Sequence, residues 1–163
     1  MTTEPVVAMS AQSAPQHLVE TVRALGVVYE TLSLQSLGDL EAFYATQARF
    51  QDPFNDVMGW EGIERIFLHM FSTLRSPRFV IEEEITQGES TFLTWRFYFW
   101  LDAMSSKEEQ CIEGATHLRW QLTQGKGWQI ILHKDYWDAA QELYEKLPLL
   151  GALMRWLKAK LKA

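Results

Sequence analysis

A chain of 163 residues, 47% hydrophobic and 13% aromatic, is long and apolar enough to bury a full core without disulfides or metals, which excludes a disordered protein. Its net charge of −6 argues against nucleic acid as the main partner, since phosphate binding needs a basic surface. The single cysteine, Cys111, excludes an intrachain disulfide and fits a reducing, cytoplasmic setting.

Residues 1–16 hold Glu4, no Lys or Arg, and scattered Ser, Pro, Gln and Ala, which reads as a flexible tail and not as a secretory signal. No apolar run approaches the roughly 20 residues that span a bilayer. A helical pattern then runs from His17 to Leu34, with Leu18, Val22, Leu25, Tyr29 and Leu32 spaced three and four apart. Gly38-Asp39 breaks it, and Asp39 is placed to cap a short helix from Leu40 to Tyr44. A brief strand, Ala45 to Asp52, is stopped by Pro53. Trp60 to Leu74 is the third predicted helix, with Ile63, Ile66, Phe67, Met70, Phe71 and Leu74 on its apolar face.

Beyond Leu74 the period changes from helical to alternating. Strands are predicted over Arg78–Thr86, Thr91–Asp102, Gln110–Thr123 and Trp128–Tyr136, with turns at Gln87-Gly88, Ser105-Ser106 and Gly125-Lys126-Gly127. Helices from Asp138 to Lys146 and from Leu149 to Leu161 close the chain. Helices first and an antiparallel sheet afterwards is an α+β plan. The domain organisation is therefore a tail (1–16), one domain (17–146) and a C-terminal helix (147–163). In that last segment the ionisable groups are Arg155, Lys158, Lys160 and Lys162, opposite a leucine-rich face. Such a helix can lie on an anionic membrane surface, but more often it packs on its own sheet or on a partner.

Strand residues alternate faces, so parity finds the interior. Leu93, Trp95, Phe97, Phe99 and Leu101 are all apolar, while their alternates include Thr94, Arg96 and Tyr98, so the odd set faces inward. On the next strand the inward set is Ile112, Gly114, Thr116, Leu118, Trp120 and Leu122, which turns His117 outward. A tight hairpin at Gly125-Lys126 puts Thr116 opposite Asp135 and Leu118 opposite His133, and facing residues share a side. His133, Asp135 and Trp137 thereby join the interior, as do Ala48, Phe50 and Asp52 on the first strand. The expected result is a small polar set, Asp52, Thr116, His133 and Asp135, in a lining of rings and aliphatics. A carboxylate buried without partners is costly, so the set is either mutually hydrogen-bonded or used.

The run Phe43-Tyr44-Ala45, then Ala48-Arg49-Phe50-Gln51-Asp52-Pro53-Phe54, with Gly59 and Gly62-Ile63 opening a helix, resembles the nuclear transport factor 2-like superfamily, in particular its SnoaL-like and ketosteroid isomerase branches. The ending His133-Lys134-Asp135-Tyr136-Trp137-Asp138 is similar to the last strand of the same superfamily. This resemblance, over Leu18 to Tyr144, implies a strongly curved, mostly antiparallel, cone-shaped sheet wrapped by the N-terminal helices around a pocket. It also implies a homodimer, for which the outward Arg96, Tyr98 and Trp100 offer a face. Asp52 matches the general-base Asp of ketosteroid isomerases, and Tyr29 lies near their oxyanion-binding Tyr. Their second oxyanion group, a protonated Asp, falls on Thr116. Limonene epoxide hydrolases need an Asp-Arg-Asp cluster, and no inward Arg is evident here. The fold itself hosts isomerases, cyclases, hydrolases and plain binding domains.

The catalytic candidates are thus Asp52 as base, His133 and Asp135 as a proton-shuttling pair, and Tyr29 as a donor. Against them stand bland roles: Asp52 capping the turn after Pro53, and His133-Asp135 as a satisfied polar patch. Trp95, Trp120, Trp137, Leu118, Thr116 and Phe67 are the expected ligand wall, Phe97 is read as core packing, and Met58 and Met70 as fillers of irregular space. His-x-Asp lacks the spacing of zinc sites, so neither a metal nor another cofactor is expected. The chain is read as binding or acting on a small hydrophobic molecule by cofactor-independent isomerisation, cyclisation or hydration. The alternative is a non-catalytic binding or dimerisation module.

Overall fold

A computed structural model of the chain describes residues 13–100 and 109–138. The elements run α1 (Gln16–Glu30), a 3-10 helix (Leu37–Phe43), β1 (Tyr44–Gln51), β2 (Asp56–Met58), α2 (Trp60–Thr73), β3 (Arg75–Gln87), β4 (Ser90–Trp100), β5 (Gln110–Thr123) and β6 (Gly127–Trp137). The helices expected over Asp138–Lys146 and Leu149–Leu161, the segment 147–163 and nearly all of the 1–16 tail lie outside the described residues.

The spacing that predicts α1 is the spacing it buries: Leu18, Val22, Leu25 and Tyr29 form one stripe against the sheet. The helix stops at Glu30, earlier than the pattern suggests. Thr31 folds its hydroxyl back onto the Val27 carbonyl at 2.8 Å, and a serine turn follows in which the Ser33 N–H donates to Ser36 Oγ at 3.0 Å. Leu32 stays buried although it has left the helix. Glu30 then accepts the Ile81 N–H at 3.0 Å, tying the end of α1 to β3. The short helix expected at Leu40–Tyr44 is instead a 3-10 helix. Asp39 lies inside it, with no side-chain cap at its start, and Tyr44 already belongs to β1.

Six strands form one sheet in the order β2-β1-β6-β5-β4-β3. All pairs are antiparallel except β1 with β6. The β5–β6 register places Thr116 opposite Asp135 and Leu118 opposite His133, as the hairpin argument requires. Register shifts at Ile81/Glu83, Arg75/Arg78, Arg119/Trp120 and Tyr44/Arg49 interrupt three of the ladders. Each adds twist and lets the sheet curve around its inner face. β2 carries no hydrophobic alternation in the sequence; it pairs with β1 through Gln51–Asp56 to Arg49–Met58, and the Arg49 side chain reaches Asp56 across the Pro53 turn, with Nε to Oδ1 at 2.8 Å. Gly59, at φ +78°, turns the chain from β2 into α2 in a conformation that side chains rarely adopt.

Parity holds along β4, where Leu93, Trp95, Phe97 and Phe99 are all buried. On β5 it holds from Ile112 to Trp120 and then ends, because Leu122 is exposed at the hairpin tip. Met58 is likewise exposed on the edge strand, so it fills no core space. His117 faces outward, stacked on Phe92 at 4.5 Å, with Nε2 2.8 Å from Ser90 Oγ.

Candidate functional site

Two apolar clusters occupy the inner face. The first, Leu18, Val22, Leu25, Leu40, Ile63, Leu93, Leu118, Trp120 and Ile130 among others, is close-packed beneath the helices. The second, Trp95, Phe97, Phe99 and Ile112, borders a hollow of about 480 Å³ enclosed with α2 and β3. That volume suits a small organic ligand.

Along one side of this hollow runs a hydrogen-bonded chain. Trp95 Nε1 donates to Thr116 Oγ1 at 2.8 Å, and Thr116 Oγ1 donates to Asp135 Oδ1. His133 Nε2 meets the same Oδ1 at 2.9 Å. On the other side of the imidazole, Nδ1 lies 2.7 Å from Tyr44 Oη and 3.3 Å from Tyr29 Oη, and the two phenols are 2.8 Å apart. A carboxylate can only accept, so the hydrogen between His133 and Asp135 sits on Nε2. Nδ1 is then free to accept from Tyr44, which accepts from Tyr29. A neutral imidazole with its hydrogen on Nε2 therefore satisfies every partner in the chain. Burial pushes both tyrosines well above their ordinary pKa of 10.0, Tyr29 being further raised by the Asp135 charge and Tyr44 by Tyr29. Both are neutral donors at physiological pH.

The backbone explains the placement. His133 and Asp135, two apart on β6, stand side by side on the inner face, opposite Leu118 and Thr116. Phe50 on β1 packs on the imidazole at 4.5 Å. Gly114 matters for Trp95: a Cβ there would meet the indole at 2.4 Å, so the glycine lets the ring lie flat across β5 and deliver its N–H to Thr116. No buried side-chain polar atom lacks a hydrogen-bond partner among the described residues.

Of the expected catalytic residues, the hollow brings together Tyr29, His133, Asp135 and Asp52. Asp52 sits differently from the other three. Its Oδ1 accepts the Phe54 N–H at 2.7 Å, the Asn55 N–H at 2.6 Å and the Asn55 amide at 3.1 Å, while Oδ2 accepts that amide at 2.9 Å. This is the turn-capping role. Asp135 uses Oδ1 for both of its bonds, and Oδ2 accepts none from a described residue.

Of the expected ligand wall, Trp95, Thr116, Trp137 and Phe67 border the hollow. Leu118 and Trp120 do not: both are packed in the first cluster, with the Trp120 indole N–H donating to Thr91 Oγ1 at 3.0 Å. Inward parity put them on the correct face but at the filled end. Conversely Phe97, read as core, borders the hollow, as do Phe79, Phe99 and Met70. Tyr44 is the residue that sequence reasoning missed. It shares parity with Ala48 and Phe50, and would have pointed inward had it been assigned to the strand instead of a helix end.

A curved, mostly antiparallel sheet with helices on its inner face and a hollow between them is the nuclear transport factor 2-like architecture. Residues 28–130 match the SnoaL-like domain, and the chain belongs to that family. No curated protein matches the sequence. Among solved structures, the chain is similar to a protein assigned as a SnoaL-like polyketide cyclase from Shewanella putrefaciens CN-32, with a TM-score of 0.63, 16% identity, and coverage of 84% of this chain and 99% of that one. It is also similar to TerC co-crystallised with polyporic acid, with a TM-score of 0.61, 13% identity and coverage of 77% and 95%. Nuclear transport factor 2 from Cryptosporidium parvum aligns with a TM-score of 0.58, 14% identity and coverage of 79% and 100%. At these identities the likeness is one of fold. No helix among the described residues is long and apolar enough to cross a membrane.

Proposed function

We propose that the chain takes a small, largely apolar molecule into the hollow and moves a proton on it without a cofactor, in an isomerisation, cyclisation or hydration. The observation that carries this reading is the polar chain from Trp95 to Tyr29, in the middle of which Asp135 Oδ2 accepts no hydrogen bond from a described residue, at a largely apolar cavity. Asp135 is the base. Thr116 and His133 hold its Oδ1, so that Oδ2 is the atom left to accept a proton. His133, one bond away, stabilises the carboxylate through Nε2–H. Tyr29 supplies a donor: its hydrogen points at Tyr44 here, and it can rotate to a substrate oxygen because Tyr44 already places its own on His133. Asp52, held by its turn, contributes charge at the rim. That a fold neighbour is assigned as a polyketide cyclase, and another was crystallised with polyporic acid, supports small-molecule chemistry in such a cavity.

The experiment is proton exchange into a panel of small apolar ketones and enones in D₂O, followed by NMR. Asp135→Asn should slow exchange by about 10²- to 10⁴-fold, the usual contribution of a positioned base, with a smaller loss for Asp52→Asn. If Asp52→Asn is the variant that abolishes exchange, the base is Asp52. If ligands bind and the wild type exchanges nothing, the hollow is a binding site without chemistry.

A further inference from the structure

The residues around the hollow are unbalanced in charge. Nine aromatic rings border it, from Tyr29 and Phe50 to Trp137, together with two carboxylates, Asp52 and Asp135, and no Lys or Arg among the described residues. The nearby cations are engaged elsewhere. Arg49 is paired with Asp56, and Lys134, next to Asp135 on β6, lies 5.0 Å over the Tyr136 ring. Two imidazoles, His69 and His133, complete the polar part of the lining, with Asn55, Thr73 and Thr116.

A ligand entering this space strips water from the two carboxylates. A purely apolar ligand leaves Asp135 Oδ2 without any donor in a low-dielectric site, which is costly, and an anion is repelled outright. A protonated amine does the opposite. It donates to the carboxylates, and its charge is stabilised by the faces of the surrounding rings. The geometry has both parts: Phe54 and Trp137 meet edge to face at 5.4 Å, and they border the same hollow as Asp52 and Asp135. We infer that the natural ligand of the hollow is an organic cation, an apolar body carrying a protonated amine, with the ammonium head seated between Asp52, Asp135 and these rings. This deepens the function proposed above and rests on the same cavity.

The test is a series of one shape and three charges on the full chain: phenethylammonium, its neutral isostere propylbenzene, and hydrocinnamate. Binding is read by calorimetry and by the shift of the Trp95 indole N–H resonance. The cation should bind about tenfold or more tighter than propylbenzene, the scale of one charge-assisted hydrogen bond, and hydrocinnamate should bind weakest. Asp52→Asn and Asp135→Asn should each reduce the preference for the cation over propylbenzene, and a Trp95 resonance that still shifts with propylbenzene shows that the variants are folded. Equal or tighter binding of propylbenzene, or preference for hydrocinnamate, overturns the cation assignment but leaves an apolar binding cavity in place. If none of the three moves the Trp95 resonance, the cation assignment and the cavity reading fail together.

Discussion

β4 and β5 run through two ends of one molecule that use the same alternation for different purposes. At one end Leu118, Trp120 and Ile130 are fully buried, packed with the apolar residues of α1 and the 3-10 helix. At the other, Trp95, Phe97, Phe99 and Ile112 carry the same inward parity and leave a hollow of about 480 Å³. The difference lies in what covers each end, and not in the strands. The 15-residue α1 lays a leucine stripe over the first end. Over the second, α2 contributes Ile66, Phe67 and Met70 to the wall of a cavity it does not fill.

The largest contrast should appear in stability. Leu118→Ala removes a side chain from the filled end and should cost about 3–5 kcal/mol, whereas Phe97→Ala, whose ring already faces empty space, should cost well under the usual aromatic truncation, about 1–2 kcal/mol. Equal losses in urea unfolding would erase the distinction between the two ends. Gly114→Ala should come next. Its methyl group cannot share space with the Trp95 ring, so the indole must leave Thr116, at about 1–3 kcal/mol and with loss of the shifted Trp95 N–H resonance.

The tyrosines bring a pH dependence. Their folded-state pKa values lie above the unfolded value of 10.0, so above that pH the folded state holds protons that the unfolded state has lost. Stability is then fully present below pH 10 and falls as pH rises, by about 1.4 kcal/mol per pH unit for each tyrosine. Tyr44→Phe should halve that alkaline slope in urea midpoints measured across the range. An unchanged slope would remove Tyr44 from the buried network. The smallest effect belongs to the edge. Asp56 is held below its ordinary pKa by the Arg49 guanidinium, a contribution present at neutral pH and lost as pH falls through that lowered value. Both side chains are about half exposed, so Arg49→Gln should shift acid unfolding only slightly, and less in high salt.

Much of this was legible in the sequence because one rule, alternation plus a short hairpin, fixes both face and register. It places Thr116 against Asp135 and sets His133 beside it, three residues of the polar chain. What parity cannot read is depth. It assigns Leu118 and Phe97 to the inner face alike, while the distinction between filled and hollow depends on helices whose positions no local pattern encodes. Tyr44 was lost at a boundary, where a 3-10 helix passes directly into a strand. Asp52 shows a different limit: the motif Asp52-Pro53 fits a catalytic base and an Asx-type turn equally well, and only the hydrogen bonds from Phe54 and Asn55 tell which role the carboxylate fills.

The most direct measurement is a crystal structure of the chain grown with a small apolar ligand that carries one polar head. The ligand body should lie against Trp95 and Phe97, with its head within hydrogen-bond distance of Asp135 Oδ2 and the His133–Tyr44 contact unbroken. A ligand seated instead in the open groove bordered by Trp60, Glu61 and Lys126, or side chains of the wall collapsed into the space beside Asp135, would contradict the account.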